Sequence, residues 1–244
     1  MAAATSPSAS SPAARRAPPG ALAAAWEVAK KDARIERRTG EIVATAGVFA
    51  VLVGFLASMA FRITDDKTNA STASGTIWIT LFFASVLSFG RVWQRERDES
   101  ALTGLLVAPI PRASIFLGKA AATYAMVLLV EVPLVALTTF LFHVDAFRCI
   151  GPLSLFMLGG ALGVALLGTL FGAMTVRTRA RDLVLAIVLF PLLSPVLVSG
   201  VVGTRKALEG LPMEEWSGFL GLVAIFDFVA LAAGIGLFGA LVDD

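Results

Sequence analysis

Charge is scarce in this chain. Only 16% of its residues are Asp, Glu, Lys or Arg, 57% are hydrophobic, and the mean hydropathy is +0.82. A soluble domain carries roughly a quarter charged residues, so the composition excludes an ordinary water-soluble fold. Cys149 is the only cysteine, which excludes an intrachain disulfide, a Cys-x-x-Cys-His haem attachment and a zinc site with cysteine spacing. No Gly-x-x-x-x-Gly-Lys-Ser/Thr loop occurs, so the chain does not bind ATP through a P-loop. His-Glu-x-x-His and Gly-x-Ser-x-Gly are also missing, and no catalytic centre or metal site is predicted. The net charge of +2 decides little, and nothing predicts a nucleic-acid partner.

What remains is long apolar runs. A bilayer core of about 30 Å needs about 20 apolar residues per helix, whereas barrel strands alternate over about ten. The pattern predicts an all-α membrane protein with six transmembrane helices, each satisfying its own backbone hydrogen bonds. Residues 1–21, rich in Ala, Ser and Pro with Arg15 and Arg16, read as a disordered tail. They do not read as a signal peptide, because no apolar run follows the arginines. Residues 22–40 read as a cytoplasmic interfacial helix. Leu22, Trp26, Ala29 and Ala33 fall on one face, Lys31, Arg34 and Arg38 roughly opposite, and Gly40 is the stop. A plain solvated helix is the alternative. Residues 41–244 read as a six-helix transmembrane domain, with spans predicted near 42–61, 72–90, 119–142, 150–176, 183–202 and 218–241. The inner loop 91–118 is the longest polar segment between them.

Lys and Arg set the orientation. With the N-terminus inside, the inner segments hold 15 of the 20 basic residues, so both termini are expected in the cytoplasm. Pro191 and Pro195 predict a kink or a break in the fifth span, the latter as a re-entrant outer gate. Gly159 and Gly163, and likewise Gly168 and Gly172, have the small-residue spacing that lets helices approach closely, within one subunit or between two. Glu131 and Asp227 lie mid-span, where a charge costs at least about 2.5 kcal/mol. They are expected to face the bundle or be protonated, in a functional or a purely structural role. His143, the sole histidine, is a haem-ligand candidate or a boundary residue.

The inner loop carries Arg95, Glu96, Arg97, Asp98 and Glu99, and then Leu102, Leu105 and Leu106 on one helical face before Pro109 and Pro111. A charged start with an apolar face suits docking in a groove of another protein. The run from Trp93 to Lys119, with Arg-Glu-Arg, then Leu-x-x-Leu-Leu-x-x-Pro, then Leu117-Gly118-Lys119, resembles the heme exporter protein B (CcmB) family. Lys31-Asp32, the segment ending in Glu131, Thr178-Arg179-Ala180-Arg181-Asp182 and Phe226-Asp227 extend the likeness over about residues 26–242. Ser100 departs from the usual glycine and Thr103 from a frequent acid. The resemblance implies an ABC-2-type, type V exporter-like permease. It implies a homodimer in membrane lipid, paired with two copies of the ATPase subunit CcmA, with the loop as coupling helix. CcmC, CcmD and the haem chaperone CcmE are the further partners it implies. No cofactor is expected on this chain alone, and haem is the candidate substrate of the complex.

Overall fold

The computed structural model describes residues 20–61, 66–98, 104–105, 107–175 and 181–243, with backbone only at 66, 94–98, 175, 181–186 and 243. Helix α1 (Ala21–Thr39) turns at Gly40 into α2 (Glu41–Ala60). Then follow α3 (Asp66–Asp98), α4 (Arg112–Leu141), a 3-10 turn (Ala146–Cys149), α5 (Ile150–Thr175), α6 (Arg181–Leu208) and α7 (Met213–Asp243). Among the described residues no strand occurs. Helices α2 to α7 supply six segments long and apolar enough to cross a membrane. Four of them run further than predicted, among them α6, which continues past residue 202 to Leu208, and α7, which begins at Met213. Helix α3 continues through Arg91 to Asp98, and α4 begins at Arg112, so the inner loop is helical at both ends.

Helix α5 is the hub, packing against α3, α4, α6 and α7. Its glycines explain how. A side-chain Cβ on Gly168 would strike the Phe89 ring, and one on Gly172 the Trp93 indole. Gly160 and Gly200 form two walls around Trp78, and Gly203 receives Phe156. The Trp78 indole N–H donates to Thr204 Oγ1 at 3.1 Å, satisfying the polar edge of a fully buried ring. Gly159 and Gly163 face α7, where Val223 and Asp227 approach them. Each of these glycines therefore serves packing inside one chain.

Helix α6 runs unbroken through Pro191 and Pro195, so the re-entrant gate is not what the chain forms. Pro195 has no N–H to give the Pro191 carbonyl four residues back. The Ser194 hydroxyl takes over, donating to that carbonyl at 2.7 Å. In a bilayer no water is at hand to do the same. Ser194→Ala is expected to lower stability by about 1 kcal/mol, and Ser194→Thr to keep it. Thermal unfolding in nanodiscs checks both.

The six spans alternate in direction. Helix α3 begins, α4 ends, α5 begins and α6 ends at one shared cleft, lined by Lys67, Asn69, His143, Cys149 and Gly210. The opposite end carries α1.

Candidate functional site

The most concentrated buried charge sits where α1 crosses the bundle. The packed face of α1 carries Ala24, Ala25, Val28, Ala29, Asp32 and Glu36, while Leu22 and Trp26 are exposed. The amphipathic helix is thus present with a third, inward stripe. Leu22 and Trp26 point away from the protein, as an interfacial helix requires, but Ala29 turns inward and Ala33 lies outside that stripe. Glu36 reaches past the left-handed turn at Gly40 (φ 61°) and accepts the backbone N–H groups of Ile42 and Val43, both at 2.9 Å. These are first-turn donors of α2 with no partner inside their own helix, and a carboxylate there also suits the helix dipole.

One turn earlier, Asp32 meets Lys119 of α4. The Lys119 ammonium donates to Asp32 Oδ2 at 3.1 Å, with the side chains only 2% and 9% exposed. Lys31 reaches the other oxygen, Oδ1, at 3.1 Å. The Trp93 ring at the end of α3 lies 5.3 Å from the Lys119 nitrogen, a cation–π distance. Gly118 makes the approach feasible, because a Cβ there would strike the Ala25 carbonyl and lie 2.7 Å from Val28 Cβ. Arg91 pairs with Glu41 at 2.8 Å on the exposed side, where an ion pair contributes little. Lys31-Asp32, Trp93 and Gly118-Lys119, noted separately along the chain, are one assembly in space. It holds both helices that flank the inner loop.

Of the predicted docking residues, Arg95, Glu96, Arg97 and Asp98 occupy the last turns of α3 as backbone. Glu99, Leu102 and Leu106 lie outside the described residues. Leu105 is partly buried against the bundle's own core, which contains Phe89, Trp93, Ile115 and Phe116. The basic segment 177–180 also lies outside the described residues.

The two membrane acids are both buried. Glu131 on α4 is 1% exposed and Asp227 on α7 is 8% exposed. Neither carboxyl oxygen of Glu131 has a hydrogen-bond partner among the described residues, nor has Asp227 Oδ1. Tyr124, partly buried on α4, is within Coulombic range of both.

His143 is exposed and adopts φ 53°, the left-handed region. Its N–H bonds Phe140 O at 3.2 Å, and the Val144 N–H bonds Thr139 O at 2.9 Å. These two bonds form a Schellman ending to α4, so the described role of His143 is to close a helix. Among the described residues no group of three His, Cys, Asp or Glu side chains could hold a metal.

Comparison with known proteins places this architecture. The family model described as CcmB protein matches residues 23–237. The chain belongs to the CcmB family. A relative named heme exporter protein B from Rhodobacter capsulatus is 31% identical over 172 residues, 67% of this chain and 77% of its own. Another of that name from Pseudomonas aeruginosa is 28% identical over 204 residues, covering 82% and 90%. A third, from Bradyrhizobium diazoefficiens, is 26% identical over 209 residues, covering 84% and 90%. The CcmB match begins inside α1, so this helix belongs to the family unit.

Residue-by-residue reading missed the partnership of Asp32 with Lys119 and the capping by Glu36. A signal was present: Asp32 and Glu36, four residues apart, share one face of a helix rich in Lys and Arg. Removing one partner leaves a buried charge alone. Asp32→Asn is expected to cost about 3–5 kcal/mol, and the double change Asp32→Leu with Lys119→Met much less than the two single changes combined. Chemical unfolding in detergent checks this cycle. His143→Gly, which relieves the left-handed strain, is expected to stabilise α4 by about 1 kcal/mol, read as a higher thermal midpoint.

Proposed function

We propose that this multi-pass membrane protein is the permease subunit of an ABC transporter complex in cytochrome c maturation. The observation that carries the reading is the match to the CcmB family across nearly the whole six-span bundle. The relatives' name, heme exporter protein B, puts haem forward as the substrate of the complex rather than a resident of this chain. The chain itself is not an enzyme in this reading. Hydrolysis of ATP belongs to a separate cytoplasmic subunit, CcmA, and two copies of each form the working unit in the bacterial inner membrane. The end of the bundle that carries α1 faces the cytoplasm, as do both termini. CcmC, CcmD and the periplasmic chaperone CcmE are the haem-handling partners. The output is haem export or release of the loaded chaperone.

The coupling segment runs from the last turns of α3 to the start of α4. Its charged start, from Arg95 to Glu99, offers ion pairs to a partner groove. Its flanks are tied to one another and to α1 through Trp93, Lys119 and Asp32. A push on the segment is therefore delivered to two transmembrane helices together rather than dissipated in a slack loop.

Tagged protein purified from membranes in mild detergent is expected to bring down an ATPase subunit and the haem-handling partners, with haem staining in the same fractions. An ATPase without those partners would point to an ABC-2 permease for a lipid, glycan or drug instead. Absence of any ATPase would overturn the coupling reading. Glu96→Lys with Asp98→Lys is expected to abolish the stimulated ATP turnover of the complex while membrane insertion stays normal.

A further inference from the structure

Between the charged ends of the bundle the chain is almost empty of titratable chemistry. Residues 42–60 of α2, 70–90 of α3, 150–175 of α5 and 187–204 of α6 contain no Asp, Glu, Lys, Arg, His, Cys or Tyr. The mid-membrane stretches of α4 and α7 hold three such groups: Tyr124, Glu131 and Asp227. All three turn toward the interior. The Glu131 carboxyl is fully enclosed between α4 and its neighbours, without a hydrogen-bond partner among the described residues. The Asp227 carboxyl lies on the glycine ledge of α5, where Oδ2 would be 3.7 Å from a Cβ on Gly159 and Oδ1 2.6 Å from one on Gly163. Glycine at those two positions leaves room for this carboxyl. Among the described residues no cation is paired with either acid. Tyr124, partly buried, lies on the helix that carries Glu131.

A carboxylate needs water, donors or a cation, and this interior supplies none of them to Glu131. A carboxylic acid is the form that such surroundings tolerate. We propose that Glu131 and Asp227 are each intramembrane protonation sites, carried as neutral acids while α4, α5 and α7 are closed around them, and that opening of the bundle lets each release one proton to the entering water. In each release the O–H bond breaks, both electrons stay on the carboxylate, and water takes the proton. The ligand of each is the proton, whatever substrate is transported.

Infrared difference spectra of the full chain in nanodiscs decide the resting state. Wild type minus Glu131→Gln and wild type minus Asp227→Asn at neutral pH are each expected to show loss of a protonated-carboxyl band. Loss of a carboxylate band in either subtraction overturns the proposal. The link to opening has its own readout, the maleimide labelling of Val130→Cys in a Cys149→Ser background. Val130 is buried beside Glu131. Raising the pH until the acids ionise is expected to increase labelling several-fold over the same protein carrying Glu131→Gln and Asp227→Asn. Equal labelling at every pH would show that ionisation does not open the bundle.

Discussion

Lys119 is an ammonium group placed near the start of transmembrane helix α4 with 2% of its side chain exposed. Such a charge persists only with a counter-charge in contact, and Asp32 is that group. Everything at this end of the molecule follows. Helix α1 is held against α4 because Asp32 must reach Lys119. Gly118 is required because the two backbones come together beside the pair. Trp93 closes the third side with its ring face, which ties the end of α3 to the start of α4. Glu36, one turn along α1, then fixes the corner into α2 by capping its first turn. One ion pair thus sets the relative positions of four helices, including both that border the inner loop.

Further into the membrane the ordering principle is shape. Lipid tails are as apolar as leucine, so hydrophobicity does not drive one span onto another. Close packing does, and α5 achieves it by presenting glycines to the aromatic residues of α3. Trp78, Phe89 and Trp93 lie successively along α3 and meet Gly160, Gly168 and Gly172 on α5. The order is the same on the two helices, so the contacts form a seam that runs toward the end of the bundle that carries α1. The ion pair at Lys119 terminates that seam, since Trp93 belongs to both.

Much of this architecture was legible in the sequence because the bilayer imposes a coarse signal. Six apolar runs and the Gly40 stop follow from hydropathy and punctuation alone. The excess lengths of α3 and α4 were hidden because Arg91 to Asp98 and Arg112 to Gly118 are polar or mixed, and hydropathy registers the membrane rather than the helix. The two prolines of α6 misled more directly. They remove donors, but Ser194 restores a bond to the freed carbonyl, and that compensation is a three-dimensional fact about a hydroxyl rotamer. Long-range pairing was the least legible. Asp32 and Lys119 are 87 positions apart, and each read singly as an ordinary charge near a span. The likeness to CcmB proteins had marked both segments without showing that they touch. Burial of Glu131 and Asp227 followed from the cost of a membrane charge, whereas the glycine ledge beneath Asp227 needed coordinates.

The seam between α3 and α5 also constrains how such a protein can change over generations. A ring and the glycine facing it are two halves of one volume. Enlarging the glycine is harmful unless the ring shrinks, and shrinking the ring alone opens a void. Phe89 with Gly168, and Trp93 with Gly172, are therefore expected to change only as pairs, with divergence across the family proceeding by matched exchanges along this line. Trp78 is held more tightly still. It answers to glycines on two helices, Gly160 and Gly200, and to the Thr204 hydroxyl, so no single compensating exchange could release it.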